Sequence, residues 1–221
     1  MIRILETKER VIADNDAVAR KTREDLNEKK VFFMNLMGSP GCGKTSLLVN
    51  IIPYLKKRYS VAVMEADVDS DVDAKTIQDL GVKTVQLHSG GLCHMDADMT
   101  ARGLEYLGLE DVDVVIMENI GNLVCPAEFD TGAHLKVMIL SVPEGDDKPL
   151  KYPLMFQTVD MVVVSKKDVC EVFDFDSKRF EKNLRTRNPD APVFYLSNTD
   201  KEGVGEFADR LIEKIEEFRK S

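Results

Sequence analysis

The sequence predicts an α/β protein in which a mostly parallel sheet is flanked by helices. From residue 31 onward, short apolar runs alternate with segments whose apolar residues recur at helical spacing. Some of these runs are continuously apolar, at residues 61–64 and 161–164 for example, which is typical of strands that are covered on both faces. A glycine-rich turn at residues 38–43 follows the first apolar run and precedes a helical pattern. With 221 residues and 43% apolar content, the chain can bury one substantial core.

Two parts of the chain are distinguished by their patterns. Residues 1–30 are predicted to form one amphipathic helix, because Leu5, Ile12 and Ala19 repeat every seven residues among charged ones. The apolar stripe of this helix packs either on the domain that follows or on a second subunit. Residues 31–221 form that domain, with strands predicted at 31–37, 61–66, 82–87, 112–118, 135–142, 159–165 and 192–197. Helices are predicted between or after them at 46–58, 74–80, 96–107, 176–187 and 204–219.

The composition argues against two classes of partner. A formal net charge of −9 disfavours electrostatic binding to nucleic acid or to an anionic membrane surface. No apolar run approaches the length needed to span a bilayer, and residues 1–10 carry too many charges for a signal peptide. We therefore expect a cytoplasmic protein, in which the four cysteines are thiols or metal ligands rather than a disulfide framework.

Residues 38–45 match the P-loop pattern G-x-x-x-x-G-K-[ST]. The pattern lies between an apolar strand and a segment with Leu47, Leu48 and Ile51 at helical spacing, which is the context in which it binds phosphate. Its glycines let backbone N–H groups surround phosphate oxygens, and the helix adds its positive N-terminal end. The sequence therefore predicts a P-loop NTPase, and the nucleotide-binding residues in this loop are Gly38, Ser39, Gly41, Cys42, Gly43, Lys44, Thr45 and Ser46.

Asp67 and Glu118 each end a predicted strand, at the sheet edge where the P-loop lies. A P-loop enzyme needs a carboxylate there to hold Mg²⁺ or to orient the attacking water. We therefore expect Thr45, Asp67 and Glu118 to bind Mg²⁺. Lys44, which reaches the β- and γ-phosphates, acts in catalysis together with the two carboxylates. Residues 67–73 are rich in aspartate and are a candidate first switch loop.

Residues 165–168 follow another buried strand and are the candidate site for the base. Guanine-binding P-loop proteins carry Asn-Lys-x-Asp here, and the aspartate accepts N1–H and N2–H₂ of guanine. Lys166 and Asp168 match this pattern, whereas Ser165 replaces the asparagine and is expected to weaken a supporting hydrogen bond worth about 0.5–1.5 kcal/mol. GTP is favoured over ATP, because an unpaired buried carboxylate penalises adenine. Ser197 lies in the loop after the last strand, from which a backbone N–H is expected to contact guanine O6.

Cys93, His94 and Cys125 are a second candidate site. Cys93 and His94 follow a predicted strand and a Gly-Gly turn, and Cys125 lies seven residues beyond Glu118. Both segments leave the carboxyl ends of strands and so are able to converge on one edge. Two thiolates and an imidazole are three of the four ligands that Zn²⁺ usually takes, and they also suit Ni²⁺. The residues alone leave two interpretations open, a metal site completed by water or a partner chain, and a set of ordinary core or surface residues.

With these residues assembled, the chain resembles the hydrogenase nickel-incorporation GTPases, the HypB family. The most specific part of the resemblance is the run Glu-Asn-Ile-Gly-Asn-Leu-Val-Cys-Pro at residues 118–126. The resemblance covers nearly all of residues 31–221, and it is also carried by the P-loop and by residues 90–96, 144–148 and 165–168.

The resemblance implies a GTPase that dimerises around nucleotide and handles Ni²⁺, with Zn²⁺ as an alternative metal, during assembly of the nickel–iron hydrogenase centre. It implies a metal role for Cys93, His94 and Cys125, and partners that include a hydrogenase precursor and other maturation proteins. The chain departs from some relatives because residues 1–30 contain neither a cysteine cluster nor a histidine-rich run. Asp98 also stands where a histidine often follows the Cys-His pair, and its oxygen suits nickel less well.

Three other functions fit part of the pattern. A related maturation GTPase, serving urease or a cobalamin-dependent mutase, shares the P-loop but is not expected to carry the Cys-His and Cys-Pro pairs. A P-loop kinase for a small molecule would be stimulated by its substrate and indifferent to replacement of Cys93. A zinc-stabilised dimer with a structural nucleotide would retain unhydrolysed GTP.

Overall fold

The computed structural model describes residues 7–67 and 72–221 and contains a seven-stranded sheet in which every strand pair is parallel. All seven predicted strands are present, and each end lies within two residues of its predicted position. The strands are β1 Phe32–Gly38, β2 Val61–Asp67, β3 Lys83–His88, β4 Val114–Glu118, β5 Leu135–Ser141, β6 Met161–Ser165 and β7 Val193–Tyr195. Across the sheet their order is β3-β2-β4-β1-β5-β6-β7.

The helices include the five predicted in the domain and three short ones that the sequence did not predict. The short ones, α5 to α7, have four to six residues each, too few to show a helical period, and each carries a proline in its first turn. In chain order the helices are α1 Thr7–Glu28, α2 Lys44–Leu55, α3 Val72–Gln78, α4 Ala97–Leu107, α5 Cys125–Glu128, α6 Lys148–Lys151, α7 Pro153–Thr158, α8 Ser177–Arg185 and α9 Val204–Lys220.

The core lies in two layers, one on each face of the sheet. Successive residues of β1 point to opposite faces, so Phe32 and Met34 pack in one layer and Phe33 in the other. The first layer is completed by residues of α2, α3 and α9. The second is completed by residues of α1 and α4 at one end and of α7 and α8 at the other. Helices therefore cover both faces, which explains why some strands, such as β6, are almost continuously apolar.

The N-terminal helix predicted at residues 1–30 is described over Thr7–Glu28, and its stripe packs on its own domain. Ala19 and Leu26 are buried at 0% and 1% exposure, and the helix runs beside α4. The first part of the predicted helix, residues 1–6, lies outside the described residues, as do residues 68–71 of the candidate switch loop. Within the described part of the chain, no helix is both long enough and apolar enough to cross a bilayer.

The order of the strands brings several loops to one edge. β1 lies between β4 and β5, so the chain crosses over at this point of the sheet. In an open parallel sheet, the crevice at such a crossover, beyond the carboxyl ends of the strands, is where ligands bind. The P-loop follows β1, Asp67 ends β2 and Glu118 ends β4. The fold therefore positions the predicted phosphate and carboxylate groups around one crevice.

His134 joins the N- and C-terminal helices to β1. Its ring stacks on Phe32 at a centroid distance of 5.8 Å and lies 4.5 Å from the ring of Phe218 in α9. Its Nδ1 accepts the Phe33 N–H at 2.9 Å, so the ring proton is on Nε2, which donates to Asn27 Oδ1 at 3.1 Å. Burial, with a smaller contribution from the charge of Arg23, lowers the pKa of His134 to about 4.

We expect His134 to make the fold sensitive to acid between pH 6.5 and about 4. Its folded pKa lies below the unfolded value, so the unfolded state binds the proton first and stability is lost as pH falls through this window. Urea unfolding at a series of pH values should show a steeper loss for the wild type than for His134→Gln, which has no titrating group there. Equal pH slopes for the two proteins would contradict this role of the imidazole.

Candidate functional site

The P-loop adopts a backbone that its glycines make possible. Gly41 and Gly43 have φ values of 72° and 96°, in the left-handed region, and Gly43 is the residue before α2. Gly38 has no room for a side chain, because a Cβ there would meet the Ile139 carbonyl and the Cys42 Sγ. The loop therefore leads in a tight turn from buried β1 to the N-terminus of α2, where anions bind.

A cleft of about 630 Å³ lies beside this loop. Its volume falls within the roughly 300–1,000 Å³ typical of ligand pockets. Lys44, at 7% exposure, donates from Nζ to the Ser39 carbonyl at 3.3 Å. Cys42 is fully buried, and burial raises the pKa of its thiol to about 12, so this cysteine serves packing rather than chemistry. Of the residues predicted for phosphate, Mg²⁺ and catalysis, the cleft is lined by Gly41, Gly43, Lys44, Thr45, Ser46, Asp67 and Glu118.

Thr45 and Glu118 place two oxygen atoms side by side in the cleft. Thr45 Oγ1 donates to Glu118 Oε1 at 3.0 Å. Two adjacent oxygens in an octahedral Mg²⁺ shell, each about 2.0–2.1 Å from the ion, lie about 3 Å apart. Asp67, at the end of β2, adds a further carboxylate to the cleft. The spacing and the hard oxygen donors therefore fit Mg²⁺.

The predicted base loop is bound to the P-loop. Ser165 is fully buried and its hydroxyl donates to the Cys42 carbonyl at 2.6 Å. Lys166 lines the cleft and donates from Nζ to the Gly41 carbonyl at 2.8 Å. Replacement of the expected asparagine therefore leaves position 165 with a short hydrogen bond to the P-loop.

Asp168 and Ser197 follow the ends of β6 and β7 but differ in their surroundings. Asp168 is exposed, in the 3₁₀ turn Lys167–Val169. Ser197 is fully buried, and its N–H donates to the Glu202 carbonyl at 3.0 Å. The N–H of Ser197 is thus used within its own loop, so the predicted backbone contact to guanine O6 would come from another residue of that loop. The neighbouring Asn198 donates from Nδ2 to the Gly43 carbonyl at 3.3 Å.

Cys93, His94 and Cys125 come together in space. The two Sγ atoms lie 2.9 Å apart, and His94 Nδ1 lies 3.9 Å from Cys93 Sγ. One ligand atom from each of the three residues fits within 4.8 Å of the others. Sulfur and imidazole nitrogen are the donors that suit Ni²⁺ and Zn²⁺. Three protein ligands also leave room for water or for ligands from a second copy.

His94 is held in place beside the two cysteines. Its ring stacks on Phe129, with centroids 4.1 Å apart and planes inclined by 17°. Burial lowers the pKa of His94, which favours the neutral imidazole, the form that binds metals. The hydrogen bond that Cys125 shares with Cys93, together with burial and the charge of a Cys93 thiolate, favours the protonated form and raises the pKa of the Cys125 thiol.

Residues 121 and 122 lie between the P-loop and the cysteines. The Asn122 N–H donates to the carbonyl of Gly38, the first P-loop glycine, at 3.0 Å. The Asn122 side chain donates to the Cys93 carbonyl at 3.3 Å. Gly121 lies against Pro40 so closely that a Cβ would be 2.7 Å from the proline ring. One short segment therefore contacts both the phosphate-binding loop and a candidate metal ligand.

The chain is similar in sequence to a known family of nucleotide-binding proteins. The family model described as CobW/HypB/UreG, nucleotide-binding domain, matches residues 32–195. The hydrogenase/urease maturation factor HypB of Helicobacter pylori is 37% identical over 213 residues, which cover 95% of this chain and 87% of that protein. The chain belongs to the HypB family. The predicted P-loop NTPase fold is confirmed, because two HypB structures have the same fold over nearly their whole length.

The HypB structures are similar to this chain throughout. HypB from Helicobacter pylori in complex with nickel has a TM-score of 0.88 and 38% identity, covering 92% of this chain and 96% of that one. HypB from Archaeoglobus fulgidus has a TM-score of 0.85 and 32% identity, covering 92% and 99%. A LAO/AO transport system kinase, at 16% identity and a TM-score of 0.54, shares the fold alone.

Two polar residues that the sequence did not single out, Glu65 and Gln86, also line the cleft of this HypB-family chain. Glu65 is buried at 3% exposure, opposite Glu118 in one neighbouring strand and Gln86 in the other. Both polar atoms of the Gln86 side chain are buried, and no residue in the described part of the chain bonds to them. A carboxylate inside an apolar strand, on the same face as Asp67 two residues later, was the signal that could have revealed Glu65.

Glu144 is a further residue that sequence reasoning left without a role. Its carboxylate accepts from the Ser39 hydroxyl and from the Ser141 N–H, the latter at 2.7 Å. Ser141 and Glu144 form a capping box, a spacing that can be read from the sequence. In this HypB-family chain Glu144 therefore ties the P-loop to the turn that follows β5.

Proposed function

We propose that this HypB-family chain is a cytoplasmic, GTP-hydrolysing nickel carrier in the maturation of nickel–iron hydrogenase. Nucleotide-linked dimerisation controls its metal cluster, and Zn²⁺ is the alternative metal. The names of its relatives support the hydrogenase as client, and the HypB structure in complex with nickel supports the metal. The partners are then a second copy of the chain, the hydrogenase precursor and other maturation proteins.

The observation that carries the proposal is the double contact of Asn122. Its N–H bonds to Gly38 in the P-loop, and its side chain bonds to the backbone of Cys93. The same segment begins at Glu118 in the cleft and ends at Cys125 in the cluster. A shift of this segment on binding or loss of the γ-phosphate therefore moves both cysteine segments, which is how hydrolysis reaches the metal.

Hydrolysis uses the residues that line the cleft. Lys44 and the N–H groups of the P-loop neutralise and orient the β- and γ-phosphates. Thr45, Asp67 and Glu118 hold Mg²⁺, which neutralises charge on the phosphate oxygens when it is bound. Glu65 lies beside Glu118, and Gln86 lies beside Glu65 on the next strand; these two residues are our candidates for orienting the attacking water.

Guanine recognition is assigned to Lys166 and Asp168. Lys166 already lies along the cleft, and the exposed carboxylate of Asp168 is free to accept the two donors of guanine. Adenine offers no such pair of donors, so GTP is the preferred nucleotide. The buried Ser165 keeps the base loop joined to the P-loop.

Dimerisation is supported by an incomplete ligand set and by exposed apolar residues. Leu92 and Val124, adjacent in sequence to the two cysteines, are 48% and 52% exposed. Val172 and Phe173, just beyond the base loop, are 78% and 51% exposed. Contiguous apolar patches mark interaction sites, and we propose that these residues belong to the surface that a second copy covers. Two copies that close over these residues bring two sets of three ligands together.

Urease maturation is a second candidate function. It is favoured by one observation, the name of the Helicobacter pylori relative, which is a hydrogenase/urease maturation factor. The chemistry of the chain is the same for both clients. Capture of the client by tagged, GTP-loaded protein distinguishes them, because it recovers either hydrogenase precursor or urease subunits.

The GTPase assignment is tested by turnover with GTP and with ATP, together with the mass of the protein on a non-hydrolysable GTP analogue. We expect GTP to be preferred and the analogue to give a dimer. Asp168→Asn should weaken GTP binding roughly 10–150-fold, since hydrogen bonds to charged groups contribute about 1.5–3 kcal/mol. The variant should prefer XTP, whose base has an acceptor where guanine has N2–H₂. Equal turnover of GTP and ATP, or strong stimulation by a small-molecule acceptor, would contradict the proposal.

A further inference from the structure

A buried asparagine of the N-terminal helix bonds to both segments that carry the metal ligands. Asn15 lies in α1 and is 8% exposed. Its Oδ1 accepts the N–H of Ala97 at 2.8 Å, and its Nδ2 donates to the carbonyl of Asp130 at 2.9 Å. Both hydrogen-bonding groups of the side chain are therefore used, one on each segment.

The two bonds fall close to the ligands on either side. Ala97 is the first residue of α4, three residues after His94, and its N–H is one of those that a helix cannot satisfy internally. Asp130 directly follows Phe129, on which the His94 ring stacks, and lies five residues after Cys125. Asn15 thus spans the gap between the start of α4 and the end of the Cys125 segment.

The rest of α1 holds the same loop in place. Arg23, two turns further along the helix, donates from Nη2 to both carboxylate oxygens of Asp130 at 2.9 and 2.8 Å. Its Nε donates to the Ala133 carbonyl at 3.3 Å. Gly132 packs against the helix so closely that a Cβ would be 2.9 Å from the Ala19 carbonyl. The helix is therefore a fixed support for this loop.

On the opposite side, the two ligand segments are joined by asparagines of the segment after β4. Asn119 Oδ1 accepts the Met95 N–H at 3.4 Å, and Asn122 Nδ2 donates to the Cys93 carbonyl at 3.3 Å. The cluster is thus bracketed by these two residues next to the nucleotide cleft and by Asn15 next to α1. Loss of the Asn15 hydrogen bonds therefore releases the two ligand segments next to α1, while the hydrogen bonds of Asn119 and Asn122 remain.

We propose that Asn15 is a positioning residue for the Cys93–His94–Cys125 cluster and that α1 is a working part of the metal site. The inference rests on the proposed metal function. The Asn15 amide sets the separation of the two ligand segments, and through it the angle at which the two thiolates and the imidazole meet a metal ion.

The test is nickel and cobalt binding by the full chain loaded with GDP. Affinity is measured by competition with a chelator, and the thiolate-to-metal charge-transfer bands report the geometry. Asn15→Ala removes both bonds, whereas Asn15→Asp keeps the bond from Ala97 and sets an oxygen against the Asp130 carbonyl. The matched control is Asp16→Ala, at the exposed neighbouring position of the same helix.

We expect both Asn15 variants to bind nickel about 10–100-fold more weakly, the range found when outer partners of metal ligands are lost. Their charge-transfer bands should shift, while GDP affinity stays that of the wild type and the control is unchanged. If Asn15→Ala does not fold, the nearly isosteric Asn15→Asp variant is used to test the inference. Wild-type spectra and affinity in a folded Asn15 variant would overturn this inference alone. Absence of metal binding in the wild type would overturn the proposed metal function and this inference with it.

Discussion

Replacement of Lys44 by alanine should reduce GTP hydrolysis by roughly 10²–10³-fold, the cost of removing one group that stabilises developing charge in a preorganised site. Lys44 is buried at the start of α2 and reaches back over the P-loop to the Ser39 carbonyl. Its ammonium group is therefore already held beside the position of the phosphates. Single-turnover hydrolysis with the GTP-loaded protein measures the effect on the chemical step.

The matched control is Lys57→Ala, which removes an exposed lysine just beyond the end of α2. It should leave both the hydrolysis rate and the affinity for GTP unchanged. Guanine specificity should also survive in Lys44→Ala, because Asp168 is untouched. A wild-type rate of GTP hydrolysis in Lys44→Ala would contradict a phosphate-binding site beside Lys44.

Replacement of Cys93 or Cys125 by serine should abolish tight nickel binding. Loss of an outer partner of a metal ligand costs about 10–100-fold in affinity, and loss of one of three ligands should cost more. The two sulfurs lie 2.9 Å apart, so either substitution also breaks the pair. Nickel titration followed by thiolate-to-metal charge-transfer absorption detects the loss directly.

Cys170→Ser is the control for this prediction. Cys170 is a half-buried thiol that follows the base loop and is not a member of the cluster. Its replacement should leave nickel binding intact. Nickel bound equally well by Cys93→Ser, Cys125→Ser and Cys170→Ser would move the metal to another part of the chain.

Most of the fold could be predicted from the sequence because a parallel sheet leaves a strong local signal. Strands covered on both faces are continuously apolar, and the P-loop marks where β1 ends and α2 begins. α5 to α7 were missed because helices of four to six residues have no readable period.

The parts of the candidate site that could be predicted from the sequence are those whose residues lie in recognisable motifs. Thr45, Glu118 and the two cysteines were found because each motif follows the carboxyl end of a strand. The part played by Asn15 could not be predicted, because its partners lie 82 and 115 residues away and are backbone groups. The use of the Ser197 N–H by Glu202 is likewise a property of the folded turn.

The most direct test of the proposed switch is nickel affinity and subunit mass in two nucleotide states. The protein is titrated with nickel while loaded with GDP and then with a non-hydrolysable GTP analogue. Asn122→Ala is measured in parallel, because it removes the side-chain hydrogen bond to the Cys93 carbonyl. The substitution leaves the three candidate metal ligands and the residues that line the nucleotide cleft in place. We expect the wild-type affinity to differ about 5–150-fold between the two states, the usual range of coupling between sites, with a dimer on the analogue. The difference should shrink in Asn122→Ala. Equal nickel affinity and equal mass in both states of the wild type would contradict a metal site controlled by GTP.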